Sequence, residues 1–152
     1  MTVAVIGKPR HAALGTAARE YEQRAARYWP LDVREVKEAA GRIGTAEDVR
    51  AEEGRRLLDV AGTRAFIVAC NPGGTAMDSA QFSAWLQGRR EAATDVCFLI
   101  GGANGLSPEV LAASRMRLTL APWTLPHELA RVVLAEQLYR AGSILRGEPY
   151  HK

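Results

Sequence analysis

The chain has 152 residues, the size of one domain with a core of its own, and its 47% hydrophobic and 24% charged content are ordinary for a globular protein. No run of about 18 apolar residues offers a transmembrane helix, and the start, MTVAVIGKPR, lacks the basic segment and apolar core of a signal peptide. A net charge of +3 is permissive of nucleic acid without demanding it, and two cysteines in apolar runs, Cys70 and Cys97, suit a reduced cytoplasm better than a disulfide scaffold.

In chain order, residues 2–7 read as a first strand of β-branched residues. From His11 to Trp29, Leu14, Ala17, Ala18, Tyr21, Ala25 and Tyr28 recur at helical spacing, and Pro30 is expected to end that helix. LDVREV, residues 31–36, alternates as a half-buried strand does, and suits a sheet edge. Lys37 to Gly44 is a loop. Thr45 then caps a helix that buries Val49, Leu57, Leu58 and Ala61 and ends near Gly62. Arg64 to Cys70 is nearly continuous apolar sequence, as in a central strand covered on both faces. NPGG, Asn71 to Gly74, reads as a turn. Asp78 or Ser79 caps a helix to about Ala92.

Asp95 to Ile100 predicts another strand, Gly101 to Leu106 a glycine turn, and Ser107 to about Ser114 a short helix. Met116 to Leu120 is a fifth strand, Ala121 to Pro126 a loop, and His127 to Leu145 a long helix. Strand and helix alternate five times. The expected class is therefore α/β, a mostly parallel sheet with helices on both faces, in one domain spanning residues 1–152. The last helix has apolar residues on more than one face, among them Leu129, Val132, Val133, Leu138 and Ile144. A helix of that kind is buried on more than one side, which favours a homodimer.

The chemistry concentrates in the C-terminal half. GGANG, with Gly101, Gly102 and Gly105, sits where a strand meets a helix, the place where open α/β sheets bind ligands. Its spacing is neither a dinucleotide fingerprint nor a P-loop. By its chemistry alone it could hold a phosphate, a carboxylate or an adenosine. APWTLP, with Pro122 and Pro126 bracketing Trp123, Thr124 and Leu125, is a stiff loop whose main chain could read an adenine edge, or serve only as a connector. His127 and Arg131 are four apart and share a helix face. No C-x-x-C or H-E-x-x-H spacing points to a metal. The ending, PYHK, offers an aromatic ring, an imidazole and a cation, which suit an RNA base and phosphate.

Taken together, IGGANGLSPEVL, TLPH, RVVLAEQLYRA and the PYHK ending closely resemble the RlmH family of ribosomal RNA methyltransferases, minimal members of the SPOUT class. The resemblance runs over essentially the whole chain, EEGRRLL (Glu52 to Leu58) included, and is strongest over residues 98–152. It implies a C-terminal trefoil knot and a homodimer. It implies S-adenosylmethionine as cofactor, touching Cys70, Gly102 and the loop Ala121, Pro122, Trp123, Thr124, Leu125 and Pro126, with Gly101 and Gly105 shaping the turn. It further implies methylation of N3 of a pseudouridine in 23S ribosomal RNA, in the large subunit or the assembled ribosome, in the cytoplasm and with no membrane or metal involved. The chain departs from the family's common pattern at Cys70, where leucine is frequent, and at Asn71, where an acid is. His151, Tyr150, Arg131 and His127 are the candidate catalytic residues: the histidines could take a proton, Arg131 could stabilise an imide anion, and Tyr150 with His151 could dock the base. Two other readings compete: a non-catalytic RNA-binding module, and a small-molecule enzyme that uses the glycine turn for a nucleotide.

Overall fold

A computed structural model describes residues 1–39 and 44–151. Five strands form one parallel sheet: β1 (Thr2–Ile6), β2 (Asp32–Val36), β3 (Phe66–Ala76), β4 (Val96–Ile100) and β5 (Met116–Thr119). Their spatial order is β2-β1-β4-β3-β5. β4 and the first half of β3 lie inside the sheet, and their side chains are buried almost without interruption. Their unbroken apolar runs follow from that position, because both faces of a parallel sheet are covered. β2, the alternating strand, lies at an edge as expected.

The helices divide between the faces. α1 (Ala12–Ala25), α3 (Ser79–Glu91) and α5 (His127–Leu145) cover one side around Phe98, Leu134 and Leu138. α2 (Ala46–Ala61) and α4 (Pro108–Ala113) cover the other around Leu57, Leu99 and Val110. Local chemistry sets the starts. Thr45 and Asp48 form a reciprocal capping box on α2, and Asp78 and Gln81 do so on α3. Ser107 caps α4, with Pro108 at its first position. Gly142 lets α5 lie directly on Tyr28, whose ring would stand 2.3 Å from a Cβ there.

Two expectations need correction. The first helix does not run to Trp29; it stops at Ala25 and turns. Trp29 is instead drawn inward, 3% exposed, and its indole N–H donates to the carbonyl of Leu138 at 2.8 Å. Nor does NPGG end β3. The strand continues to Ala76, with a break in its pairing to β5 between Cys70 and Thr75. Within that break Asn71 Oδ1 accepts the Gly73 N–H at 2.8 Å, a local turn inside a continuing strand. Gly74 passes so close to β5 that a Cβ would lie 2.6 Å from the Arg117 carbonyl carbon. The loop expected over residues 37–44 falls partly outside the described residues.

Candidate active site

The carboxyl ends of β3, β4 and β5 open onto a cavity of about 490 Å³, within the range of small-molecule sites. β4 delivers the chain to Gly101, and the turn closes where the Gly105 N–H donates to the Gly102 carbonyl at 3.0 Å. Gly105 has φ +76°, a left-handed conformation that glycine adopts freely. The turn folds back so tightly that a Cβ on Gly101 would lie 2.7 Å from the carbonyl carbon and oxygen of Gly105. The facing wall leaves β5 at Thr119, whose hydroxyl donates to the Ala121 carbonyl at 2.8 Å. It ends at Pro126, whose carbonyl accepts the Ala130 N–H at 2.9 Å and starts α5. The β3 break adds Asn71 and Pro72. Among the described residues that line the cavity there is no Asp, Glu, Lys or Arg. The walls are main chain and mostly apolar side chains, with Asn71, Thr119, Thr124 and His127 as the polar ones, suited to a flat heterocycle read by backbone groups.

Cys70, Gly101, Gly102, Gly105, Ala121, Trp123, Thr124, Leu125 and Pro126 all line this cavity, while Pro122 stands outside the lining. Cys70 brings no nucleophile: burial pushes its thiol up to about 12, and Cys97 follows for the same reason, to about 11. His127 also lines the cavity. Its Nε2 is buried and has no hydrogen-bond partner among the described residues.

Arg131 does not join it. The guanidinium is 5% exposed and lies outside the lining, held by Glu22 (2.6 and 3.1 Å) and Glu35 (2.8 Å). Burial alone would lower its pKa, but those two carboxylates more than offset it. Arg131 therefore ties α1, β2 and the first turns of α5 together, and its expected place at the substrate is corrected to a structural one. Tyr150 is also elsewhere. It belongs to a short 3-10 turn, Pro149–His151, packed on α5. Its ring lies 4.3 Å from that of Tyr139, and its hydroxyl is 3.0 Å from Glu136 and 3.4 Å from Tyr21. Burial, then the hydrogen bonds to Tyr21 and Glu136, push its phenol above the ordinary value, so it stays a neutral hydroxyl. Tyr139 is 12 residues along α5 from His127, roughly 18 Å at the helical rise. The side chain of His151, and Lys152, lie outside the described residues.

Sequence reasoning missed Thr119, Leu120 and Ala130 in the lining. The first two were legible as the end of a strand beside the loop. It also missed Glu53 on α2, 5% exposed, behind the glycine turn. Among the described residues no group of three His, Cys, Asp or Glu side chains could hold a metal ion, and no helix is long and apolar enough to cross a membrane.

A family model described as "Predicted SPOUT methyltransferase" matches residues 1–151. Ribosomal RNA large subunit methyltransferase H of Gemmatimonas aurantiaca is 62% identical over 148 residues, covering 97% of this chain and 96% of its own. The protein of that name from Anaeromyxobacter sp. strain K is 44% identical over 150 residues, covering 99% and 97%. That from Clostridium kluyveri is 34% identical over 161 residues, covering 100% and 99%. The parallel sheet, the glycine turn and the facing loop agree with that likeness along the whole chain, which belongs to the SPOUT methyltransferase family.

Proposed function

We propose that this chain methylates N3 of a pseudouridine in 23S ribosomal RNA on the large subunit or assembled ribosome, with S-adenosylmethionine as the methyl donor. The observation that carries the reading is the cavity between the Gly101–Gly105 turn and the Ala121–Pro126 loop. The fit is to an adenosine. A Cβ on Gly102 would lie 2.7 Å from Glu53 Oε2 and 2.9 Å from Ile6 Cγ2 behind the turn, so only glycine fits there and the wall it offers the cavity is bare backbone. Facing it is a proline-bracketed loop with main-chain groups at fixed positions.

S-adenosylmethionine, when bound, supplies an electrophilic methyl group on a sulfonium. Its transfer is an in-line displacement, so holding donor and acceptor in register supplies much of the rate. In this chain the apolar walls exclude water and the stiff loop fixes orientation. The acceptor nitrogen loses its proton as its bond to the methyl carbon forms. His127, in the cavity wall, and His151 are the candidates to receive that proton. Arg131 acts at one remove, by holding the first turns of α5 in place.

The site needs a second copy. Tyr150 is fastened to α5 far from the cavity of its own chain, so the residues that dock the base reach the cavity of a partner. The homodimer is supported by α5, where Leu129, Val132, Val133 and Ile144 remain only half-buried and Leu145 is exposed. A net charge of +3 gives a weak grip on free RNA, which favours the assembled ribosome as substrate.

The test is transfer of labelled methyl from S-adenosylmethionine to ribosomes lacking the modification, followed by mapping of the base. Methylation of ribosomes is expected; equal transfer to naked RNA counts against the ribosome as substrate, and no transfer counts against the activity. A chain lacking residues 149–152 should bind S-adenosylmethionine and transfer nothing. Full activity in that truncation removes the tail from the site.

A further inference from the structure

The EEGRRLL segment of α2 treats its charges in two ways. Glu52, Arg55 and Arg56 pair at the surface, Arg55 also with Asp59 just beyond the segment. Glu53 turns inward and is 5% exposed. Its Oε1 accepts the Ala39 N–H at 3.2 Å, and its Oε2 is buried with no hydrogen-bond partner among the described residues. Oε2 lies directly behind the glycine turn, 2.7 Å from where a Cβ on Gly102 would stand. Gly54 makes this approach possible, since a Cβ there would meet Ser107 Oγ at 2.3 Å. An acid buried without a full set of partners is costly, and the lining of the cavity on the far side of Gly102 holds no charge of its own.

We propose that Glu53 is a specificity-determining positioning residue, which acts through the wall at Gly102 to favour a cationic ligand over its neutral counterpart. The inference rests on the cavity being the S-adenosylmethionine site. That ligand carries a sulfonium, whereas S-adenosylhomocysteine, its demethylated product, does not. In a buried setting the attraction between a carboxylate and a cation on the other side of a backbone wall is weakly screened, so the charge difference becomes a difference in affinity. Product with no sulfonium then leaves more readily than substrate.

Among the described residues Arg56 and His127 favour the charged form of Glu53, but neither hydrogen-bonds it. Arg56 is bound to Glu52 and to the carbonyls of Lys37 and Glu38. Glu38 adds a like charge, itself paired with Arg10. From α5 only His127 faces it. Burial is the main cause that raises the Glu53 carboxyl above the ordinary range, the Ala39 N–H opposes it, and Glu38 adds to it. A cation in the cavity pulls that value back down, so its binding expels a proton.

The experiment is calorimetry of the whole protein with S-adenosylmethionine and with S-adenosylhomocysteine, in buffers of different ionisation enthalpy, from acid to mildly alkaline pH. S-adenosylmethionine should release a proton and gain affinity as pH rises, while S-adenosylhomocysteine does neither. Glu53→Gln keeps the shape and removes the charge; it should cut the preference for the sulfonium by about tenfold, the effect of one pKa unit, and abolish the proton release. Both ligands binding without differential proton release in the unaltered protein overturns the inference and leaves the function standing. Binding of neither ligand overturns the proposed function, and the inference with it.

Discussion

Two regions of this molecule are built on opposite plans. The cavity wall is made of backbone: a glycine turn that doubles back on itself, a break in β3 and a loop held between prolines. The α1–α5 face is made of side chains. Arg131 joins Glu22 and Glu35, Tyr28 bonds Glu148, and Tyr150 packs at a tilt against Tyr139, with Arg140 over its ring and Glu136 accepting from its hydroxyl. A wall of backbone tolerates changes of side-chain chemistry but not an added Cβ. A face of interlocked charges and rings tolerates neither truncation nor loss of a partner. At Cys70 the lining takes shape rather than a reactive thiol, and Asn71 spends its side-chain oxygen on the Gly73 N–H of the local turn.

The contrast breaks most visibly at Arg131. Arg131→Met leaves Glu22 and Glu35 without their cation and should destabilise the fold by about 3–5 kcal/mol. Thermal unfolding should show a fall in Tm of roughly 10 °C, with residual ligand binding at low temperature. Unchanged stability would mean that the side-chain plan is wrong for this face. Next comes Gly101→Ala, where the new carbon meets the backbone of Gly105, which cannot swing aside. Methyl transfer should drop by about 100-fold, the loss that roughly 1 Å of misplacement brings, with a smaller change in Tm. Wild-type kinetics there would sink the backbone plan for the wall.

Smaller effects sharpen the picture. The raised carboxyl of Glu53 favours the protonated form in the folded chain. The folded state thus holds more protons than the unfolded one between the ordinary carboxylate value and the raised one. Stability is full below the ordinary value and is lost as pH rises through the raised one. Glu53→Gln should flatten that part of a plot of Tm against pH, and a plot of unchanged slope would show that Glu53 is not what titrates. The least effect is expected from Tyr150→Phe, which keeps the ring on Tyr139 and gives up the hydroxyl contacts, about 1 kcal/mol. If instead it abolishes methyl transfer at unchanged stability, the hydroxyl itself works at the base.

What could be read from the chain beforehand follows the same division. α5 begins and ends where the apolar pattern and Pro126 place it, and the capping residues of α2 and α3 were visible because a cap is local chemistry. The glycine turn and its facing loop were legible too, since glycine and proline constrain backbone wherever they stand. The partners of Arg131 were not. Glu22 lies 109 residues away and Glu35 96, and nothing in an i, i+4 spacing to His127 reveals them. Glu53 was hidden inside a run of charges that reads as a solvated face, because only the fold decides which member of such a run turns inward. β3 was cut short for a related reason: NPGG is turn chemistry, and here a turn is set within a strand that goes on.

Trp123 stands on the rim of the cavity at 76% exposure, while Trp29 is buried at 3% and Trp85 is half-buried against Phe66 and Phe82. Of the chain's three indoles, one therefore reports on solvent at the mouth of the site and two report on the core. Excited together, they emit as a red component and a bluer background. A ligand that settles between the two walls shields the first and leaves the others unchanged. The protein carries its own optical gauge of occupancy, readable without a label or a turnover.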